Sequence, residues 1–493
     1  MEMVFERGSN SGNRRGYKTE KNNSTRKFVA KVLIGVQLII ASVLNAKLMD
    51  LDVLPAKFDI LLIAVIVLLN IILWFSTRKK SINILMSMTS GFLTAVFIIG
   101  TVAIFKLDTT LQSVISDTAY EIVEMSAVVP ANSDISTLAG VQGKTIGIVE
   151  DAEHQEEIES QISAEANFTP KYEKYDDVIK LSEALLEKKE EVIIINPSHV
   201  EMMKEIEGYA DIESKVKVIH TFKIKIKKEV EQKKENVNKD VFTVYLSGSD
   251  SRTGINSTSR SDVNILAIVN TKTRKVQLIN TPRDYYVEIA GTGGKKDKLT
   301  HAGIQGVEAS METLEKLYDC EIDYYFKINF SGFIKIIDYL GGIDVYNEKS
   351  FTAITGDYFK QGNIHLNGTR ALVFTRERHA FVNGDEQRGK NQMAVIKAVT
   401  DKMTSKEVLT KFDSIMNSMS GCFQTDIPSE KLYGIVKTQL KDNKAWEIST
   451  LSTTGTGLLT PTYMVSTPVW VQVPVDEDVA KAKQVIKDAY KTE

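Results

Sequence analysis

The sequence predicts an α/β protein that is anchored in a membrane by three N-terminal helices and carries two α/β domains outside it. Two observations lead to this fold class. Apolar runs long enough to cross a bilayer crowd the first fifth of the 493 residues, and strand-like and helix-like segments alternate after them. Hydrophobic residues make up 43% of the chain, which is enough for packed cores. A chain of this length is expected to form two or three domains.

The three apolar runs, at residues 28–48, 58–75 and 82–105, are predicted to be transmembrane helices. A bilayer core of about 30 Å needs roughly 20 helical residues, and each run approaches that length. A cleaved signal peptide is the alternative for the first run, but no small-residue cleavage site follows it. Residues 1–27 are rich in Ser, Asn, Gly and Arg and are predicted to be a disordered basic tail.

The distribution of Lys and Arg predicts the orientation of these helices. The tail contains seven basic residues, and the second short loop contains Arg78, Lys79 and Lys80. The first loop has only Lys47 and Lys57, beside three aspartates. Since cytoplasmic segments are enriched in Lys and Arg, the N-terminus should be cytoplasmic. An odd number of spans then puts everything after residue 105 outside the cell.

Residues 106–239 are predicted to hold a connecting stalk, a small α/β domain and a linker. Residues 106–130 form the predicted connecting helix or stalk. Buried strands are expected at 143–149 and 191–196, with a helix at 177–190 between them. Apolar and polar residues alternate over 216–227, as in a strand with one solvent-exposed face. The charged segment 228–239 is the predicted linker to the next domain.

The second outer domain, residues 240–493, opens with strands at 241–246, 263–270 and 275–280. The last two should form an antiparallel hairpin. Asp262 precedes the first strand of this hairpin and Arg283 follows the second, so the pairing should bring them to the same end of the sheet. Helices are expected at 303–317 and 331–340, the latter with Ser331 as its N-cap and Gly341 just past its end.

Two further segments of this domain carry charged candidates. Residues 371–378 are predicted to be a strand that places Arg376 and Arg378 on the same face. Residues 391–403 are predicted to be a helix, and Asp385, Arg388 and Gln392 would share one face if it begins early. Helices are also expected at 426–441 and 479–490. The charges of Arg376 and Arg378 would be costly to bury on the inner face of a strand unless an anion binds them.

These residue types suit a pyrophosphate and a divalent cation. Asp250 and Asp262 could ligate Mg²⁺, which prefers carboxylates and phosphate oxygens; the alternative is a pair of turn-forming residues in a polar loop. Arginines bind phosphate well, and on a chain of net charge −3 a cluster of them is a local device. The alternatives are a turn role for Arg283, a solvated strand end for Arg376 and Arg378, and a surface ion pair for Arg388.

Other candidates have a structural interpretation beside the functional one. Arg260 could contribute to the site or form a loop salt bridge. His301 could act as a general base, although a lone histidine is more often structural. Cys320 and Cys422 could pair or stay free.

Seven motifs occur in order and together resemble the catalytic domain of the LytR-CpsA-Psr family of Gram-positive cell-envelope proteins. They are GSD (248–250), SRSDVN (259–264), TPRD (281–284), KLTHA (298–302), LGGIDV (340–345), RER (376–378) and GDEQRGKNQ (384–392). With three spans and a small preceding domain, the chain looks similar to the capsule-associated streptococcal, CpsA-type branch.

The resemblance implies a three-layer α/β/α catalytic domain on the outer face of a Gram-positive cell membrane. It implies transfer of a glycopolymer, such as capsular polysaccharide, from undecaprenyl pyrophosphate to peptidoglycan, with membrane lipid and other capsule-assembly membrane proteins as further partners. Asp250 and Asp262 would be the Mg²⁺ ligands. The pyrophosphate would be bound by Arg283, Arg376, Arg378, Arg388 and Gln392. Asp385 would be the best candidate for a base.

Three other functions are compatible with these residues. A membrane-bound regulator would use the basic tail, but seven basic residues without a helix-turn-helix make a poor reader of DNA sequence, so no specific nucleic-acid binding is expected. A lipid-pyrophosphate hydrolase would use the same site with water as the acceptor. A simple binding module predicts ligand binding that survives the loss of Asp262.

Overall fold

The computed structural model describes residues 12–76, 83–116, 120–150, 155–227, 240–249, 254–382, 384–405 and 421–491. The chain forms two compact units. The first comprises Met1–Leu111 and Ser429–Asn443, and the second comprises Gln112–Pro428 and Lys444–Glu493. Helices and strands are numbered below in chain order.

The first unit contains the apolar helices. They are α1 (Gly12–Asp50), α2 (Ala56–Ser76), α3 (Asn83–Ser116) and, from the distant segment, α13 (Ser429–Asp442). Three stretches are long and apolar enough to cross a membrane, namely Lys27–Asp50, Ala56–Ser76 and Ser87–Lys106. They confirm the three predicted spans by length and composition.

Polar contacts join elements of the first unit. Ser90 Oγ on α3 donates to Gln37 Oε1 on α1 at 2.9 Å, a buried hydrogen bond of the kind that links helices in apolar surroundings. Lys437 Nζ on α13 lies 2.6 Å from Asp52 Oδ1, and Lys57 Nζ donates to the carbonyl of Lys441 at 2.8 Å. The segment that joins α1 to α2 therefore lies against α13.

The second unit begins with the accessory domain, a five-stranded mixed sheet in the order β3-β2-β4-β1-β5. Its strands are β1 (Tyr120–Pro130), β2 (Thr145–Val149), β3 (Lys171–Tyr175), β4 (Ile193–Ile195) and β5 (Val216–Lys227). Its helices are α4 (Gln155–Ala166), α5 (Val178–Leu186), α6 (Pro197–Met203) and α7 (Ile212–Lys215). The small α/β domain predicted from the sequence is confirmed.

Apolar side chains cover both faces of this sheet, since neighbouring residues of a strand point to opposite sides. Ile194 packs with Phe222 and Ile158 on one face. Ile193 and Ile195 pack on the other face with α5 and α6, and with three valines from near the C-terminus of the chain, Val465, Val469 and Val471. The accessory domain thus shares one of its two cores with the following domain.

The larger domain is built on a six-stranded sheet in the order β16-β11-β6-β7-β8-β17. These strands are β6 (Val241–Ser249), β7 (Ser261–Asn270), β8 (Lys275–Asn280), β11 (Tyr324–Asn329), β16 (Phe423–Thr425) and β17 (Glu447–Ser452). Paired strands outside this sheet are β9 (Tyr286–Glu288) with β10 (Lys296–Lys298), β12 (Ile343–Asn347) with β15 (Gly362–Leu366), β13 (Phe351–Thr352) with β14 (Tyr358–Phe359), and β18 (Gly455–Thr460) with β19 (Val469–Pro474).

Helices cover both faces of the six-stranded sheet. They are α8 (Leu299–Ala302), α9 (Val307–Tyr318), α10 (Phe330–Tyr339), α11 (Gly368–Arg376), α12 (Gly384–Met403) and α14 (Asp476–Ala489). Ile279 of β8 packs into the core formed with α9 and α14. Its neighbour Asn280 points to the opposite face, where α12 approaches it closely. This is the predicted three-layer α/β/α arrangement.

Three segment predictions were wrong in type. Residues 371–378 are not a strand, since α11 runs to Arg376. Asn367 caps α11 by accepting from the backbone N–H of Arg370, and Ala371 and Phe374 are buried at helical spacing. Residues 120–130 are not a stalk but β1, whose partner β5 lies about a hundred residues later and leaves no local signal. Helix α1 begins at Gly12, inside the predicted disordered tail, because an established spanning helix extends readily.

Smaller differences concern element ends. The N-cap of α10 is Asn329, which accepts from the backbone N–H of Gly332, rather than Ser331. The helix predicted at 303–317 begins at Val307, after Gly306 adopts a φ of 117°. The predicted linker 228–239 lies outside the described residues. Cys320 and Cys422 are both free thiols.

Candidate active site

The β7–β8 hairpin brings Asp262 and Arg283 together, as the sequence predicted. Ile265 pairs with Asn280 in the hairpin register, so Asp262 lies three positions before one partner and Arg283 three after the other. Arg283 Nη1 donates to Asp262 Oδ1 at 2.6 Å. Thr300 Oγ1 donates to the same oxygen at 3.4 Å. The bond between Arg283 and Asp262 is charge-assisted and short, which places it among the stronger polar contacts in proteins.

Arg283 is almost enclosed, with 6% of its side chain exposed. Its Nη2 donates to both carboxylate oxygens of Glu205, at 2.8 and 3.0 Å. Its Nε lies 3.6 Å from Asp284 Oδ1. Three carboxylates therefore surround one guanidinium, and one of them comes from the accessory domain.

Two further cations contact Glu205. Arg260 Nη1 donates to its Oε1 at 2.7 Å, and Lys298 Nζ lies 3.7 Å from its Oε2 and 3.2 Å from Asp284 Oδ1. The salt-bridge interpretation of Arg260 is correct, but its partner lies 55 residues away in the sequence.

The backbone of Lys298 is positioned by the buried pair Asp297 and His301. The backbone N–H of Lys298 donates to Asp297 Oδ1 at 2.7 Å, and the same oxygen lies 2.7 Å from His301 Nδ1. His301 is 2% exposed, so its contact is structural and the general-base interpretation is not supported.

The fourth cation, Arg388, lies on α12 together with Asp385. Because the helix begins at Gly384, the two side chains are one turn apart, and Arg388 Nη2 lies 3.2 Å from Asp385 Oδ1. Gln472 Nε2 on β19 donates to Asp385 Oδ2 at 3.3 Å. Gly389 allows α12 to lie close to the end of β8, since a Cβ at this position would overlap the Asn280 side chain.

Burial and charge act in opposite directions on these groups. Burial alone would raise the pKa of Asp262, but the charges of Arg283, Arg260 and Arg388 hold it below its usual range. Burial would likewise raise the pKa of Glu205, and Arg283, Arg260 and Lys298 together depress it strongly. Both carboxylates are therefore ionised at neutral pH.

The pKa of Arg388 is lowered as well, which for a guanidinium disfavours the charged form. Burial is the main cause that lowers its pKa, opposed by Asp385, while the charge of Arg283 lowers it further. Gln472 links this part of the site to the segment that carries Arg283, since its backbone N–H donates to the Asp284 carbonyl at 2.7 Å and its side chain donates to Asp385. Four predicted site residues, Asp262, Arg283, Asp385 and Arg388, are thus brought together.

The other predicted site residues differ. Gln392 Nε2 donates to the Thr375 carbonyl at 3.3 Å, so it caps the C-terminal end of α11. Arg376 is exposed and stacks on Phe330, with its Cζ 4.4 Å from the ring centroid. Among the described residues, nothing forms a hydrogen bond or ion pair with the Arg378 side chain. The idea that both arginines point inward from a strand is wrong because α11 replaces that strand.

The fit to Mg²⁺ can be examined only at Asp262, since Asp250 lies outside the described residues. In the described part of the chain, no three His, Cys, Asp or Glu side chains are grouped to hold a metal. Mg²⁺ in phosphate sites usually takes only one or two carboxylates. The hydrogen bonds that Asp262 accepts from side chains of the described residues, Arg283 and Thr300, both fall on Oδ1. Within the described part of the chain Oδ2 stays open as one ligand, and the site fits the ion to that extent.

Four contributors were not predicted as site residues: Glu205, Asp284, Lys298 and Gln472. Asp284 and Lys298 stand inside two of the motifs, TPRD and KLTHA, which was the available signal. Glu205 and Gln472 lie in segments without any motif, so only the folded chain shows them.

Residues 207–485 match the LytR_cpsA_psr family. The polyisoprenyl-teichoic acid–peptidoglycan teichoic acid transferase TagU of Bacillus cereus (strain AH820) is 36% identical over 205 residues, which are 41% of this chain and 66% of that protein. TagU of Bacillus mycoides (strain KBAB4) is 35% identical over 196 residues, 40% of this chain and 63% of that protein. This chain thus spans slightly less than two thirds of the length of these curated relatives.

Among solved structures, TagV of B. subtilis aligns with 51% of this chain and 97% of its own chain, at 28% identity and a TM-score of 0.44. The family match covers more than half of the 493 residues and contains Asp262, Arg283, Asp385 and Arg388. The chain therefore belongs to the LytR_cpsA_psr (LytR-CpsA-Psr) family.

Proposed function

We propose that this protein transfers a glycopolymer from a polyprenyl-pyrophosphate carrier to peptidoglycan on the outer face of the membrane. The observation that carries the proposal is a cluster of four buried cations, Arg283, Arg260, Lys298 and Arg388, in which Arg283 contacts the Asp262 carboxylate. The TagU relatives are named as teichoic acid–peptidoglycan transferases, which agrees with this class of reaction.

The cation cluster suits a pyrophosphate better than a single carboxylate. Guanidinium groups bind phosphate oxygens in a fixed fork, and an ammonium group adds a point charge. Phosphoryl transfer asks a protein mainly to position the phosphates and to stabilise their charge. Arg283 and Arg388 approach from the hairpin and from α12, so they can contact the diphosphate from two sides.

The proposed reaction exchanges one phosphorus–oxygen bond for another. A peptidoglycan hydroxyl attacks the phosphorus atom next to the sugar, and its oxygen forms a new bond to that phosphorus. The bond to the bridging oxygen of the pyrophosphate breaks, and the electron pair leaves with the lipid monophosphate. The hydroxyl proton passes to the Asp385 carboxylate, which Arg388 and Gln472 hold in place.

Mg²⁺, when bound at Asp262, would offset phosphate charge and polarise a phosphoryl oxygen. Asp250 is the proposed second ligand. Arg376, Arg378 and Gln392 stay candidates for contacts to the diphosphate, although their side chains make other contacts or none among the described residues.

The proposed location outside the cell rests on the charge pattern of the N-terminal segments. The contacts of Lys57 and Asp52 with α13 support it, because they put the first loop on the same side of the membrane as a segment from the C-terminal part of the chain. The carrier lipid would then reach the site from the outer leaflet.

We further propose capsular polysaccharide as the polymer, from the arrangement of three spans and an accessory domain. The TagU relatives carry wall teichoic acid in their names, so the two polymers are the alternatives to compare.

The full chain in detergent, supplied with lipid-linked polymer, peptidoglycan and Mg²⁺, tests the proposal. We expect attached polymer and lipid monophosphate to form together, and chelation of Mg²⁺ to suppress both. Arg388→Ala should lower the rate roughly 10²–10³-fold, as the loss of one stabilising donor commonly does. Lys390→Ala is the matched control, because Lys390 pairs with Glu386 at 2.7 Å on the exposed side of the same helix.

Full activity of Arg388→Ala would contradict the proposal, as would the absence of both transfer and pyrophosphate cleavage in the unaltered chain. Cleavage that proceeds equally well without peptidoglycan would identify a hydrolase instead.

A further inference from the structure

Glu205 brings a carboxylate from the accessory domain into the cation cluster. It accepts hydrogen bonds from Arg283 at 2.8 and 3.0 Å and from Arg260 at 2.7 Å, and Lys298 lies 3.7 Å away. Glu205 also lies just before the segment that matches the family, residues 207–485. Its position at the site is therefore not part of what that match describes.

The backbone around Glu205 is fixed by buried neighbours. Met203 and Ile206 flank it and are 0% and 5% exposed. Both belong to the core that the accessory domain shares with Val465 and Val471. Packing between two domains thus fixes the backbone at Glu205, whereas its side chain keeps 33% of its surface exposed.

The charges in the described part of the site balance only when Glu205 is counted. Four cations (Arg260, Arg283, Lys298, Arg388) face four carboxylates (Glu205, Asp262, Asp284, Asp385). A phosphate group bound to the same guanidinium groups would meet the Glu205 carboxylate at close range. Like charges at such distances repel strongly in a partly buried site.

We infer that Glu205 acts as an internal competitor for the anion site, its carboxylate occupying the donors of Arg283 and Arg260 that a phosphate group would use. The inference rests on the proposed function, because it takes the ligand to be a diphosphate. A carboxylate satisfies the fork of Arg283 with two oxygens, and a diphosphate offers more oxygens and more charge. Glu205 therefore lowers the affinity for every anion and favours ligands that can displace it.

The competition predicts a gain in affinity when the carboxylate is neutralised. Inorganic pyrophosphate is the probe, and calorimetry on the full chain in detergent, with and without Mg²⁺, gives its Kd. Glu205→Gln should bind pyrophosphate at least roughly tenfold more tightly than the unaltered chain, since one opposing charge is removed from a partly buried site. Glu213→Gln is the control, because Glu213 pairs with Lys204 at 3.0 Å in the same domain and is half exposed.

An equal or weaker affinity of Glu205→Gln would overturn the inference and make Glu205 a supporting residue of the arginines. A second measurement needs no variant. Pyrophosphate bound to the unaltered chain should speed hydrogen–deuterium exchange in the segment 204–209, because the Glu205 contacts are released. Unchanged or slower exchange there would contradict the inference even if Glu205→Gln failed to fold.

The transfer assay separates this inference from the proposed function. Tighter pyrophosphate binding by Glu205→Gln without any polymer transfer would refute the proposed function alone. Transfer by the unaltered chain, with no gain in affinity in the variant, would refute the inference alone.

Discussion

Replacing Arg283 by leucine should destabilise the second unit more than any surface substitution. The change leaves the Asp262 and Glu205 carboxylates without their shared partner. Removing one member of a buried ion pair commonly costs about 3–5 kcal/mol, because the remaining charge is buried alone. Asp262 and Glu205 have side chains that are 19% and 33% exposed, so water can partly solvate them. We therefore expect the lower end of that range, about 3 kcal/mol of unfolding free energy.

Denaturant unfolding of the full chain, followed by tryptophan fluorescence, measures this loss. Trp446 is buried and lies beside Arg274, so its emission reports on the second unit. Lys390→Leu is the reference, since an exposed ion pair contributes at most about 1 kcal/mol. A loss of less than 1 kcal/mol for Arg283→Leu, similar to the reference, would show that solvent already screens the cluster and would refute the reasoning.

Three further predictions concern stability. The pKa values of Asp262 and Glu205 are lower in the folded protein than the unfolded values near 4, so these groups contribute stability above pH 4 that is lost as the pH falls through the folded values. The free energy of unfolding, measured from pH 7 down to 2, should therefore fall steeply in acid. The fall should be less steep in Arg283→Leu. Cys320, whose pKa burial raises to about 12, and Cys422 are unpaired, so a reductant should leave the unfolding midpoint unchanged; a lowered midpoint would indicate a disulfide. In the same denaturation assay Gly389→Ala should cost about 1–3 kcal/mol through overpacking, because its Cβ would overlap the Asn280 side chain; a cost no larger than that of Lys390→Leu would contradict this.

Sequence reasoning was most successful where the geometry is local. The hairpin formed by β7 and β8 places Asp262 beside Arg283 because antiparallel pairing fixes which residues meet. The shared face of Asp385 and Arg388 follows from helical spacing once the helix begins early. Both pairs needed only short-range pattern and regular geometry, and both are present in the structure.

Sequence reasoning was wrong where a short apolar segment permits two periods. Residues 371–378 offer apolar positions at both strand and helix spacing, and the cap at Asn367 decides for the helix. The contribution of Glu205 depends on packing between distant segments, and nothing next to it in the sequence indicates a site. Local pattern can place residues within an element, but it cannot show which elements meet.

The core shared by the accessory domain and β19 has a consequence for biogenesis. Ile193 and Ile195 are synthesised well before Val465, Val469 and Val471, which complete the same core. Until that later segment has been made, one face of the accessory sheet stays bare and prone to aggregation. In the proposed orientation the accessory domain crosses the membrane before the segment that completes its core, so a chaperone at the translocation exit would have this apolar face to protect.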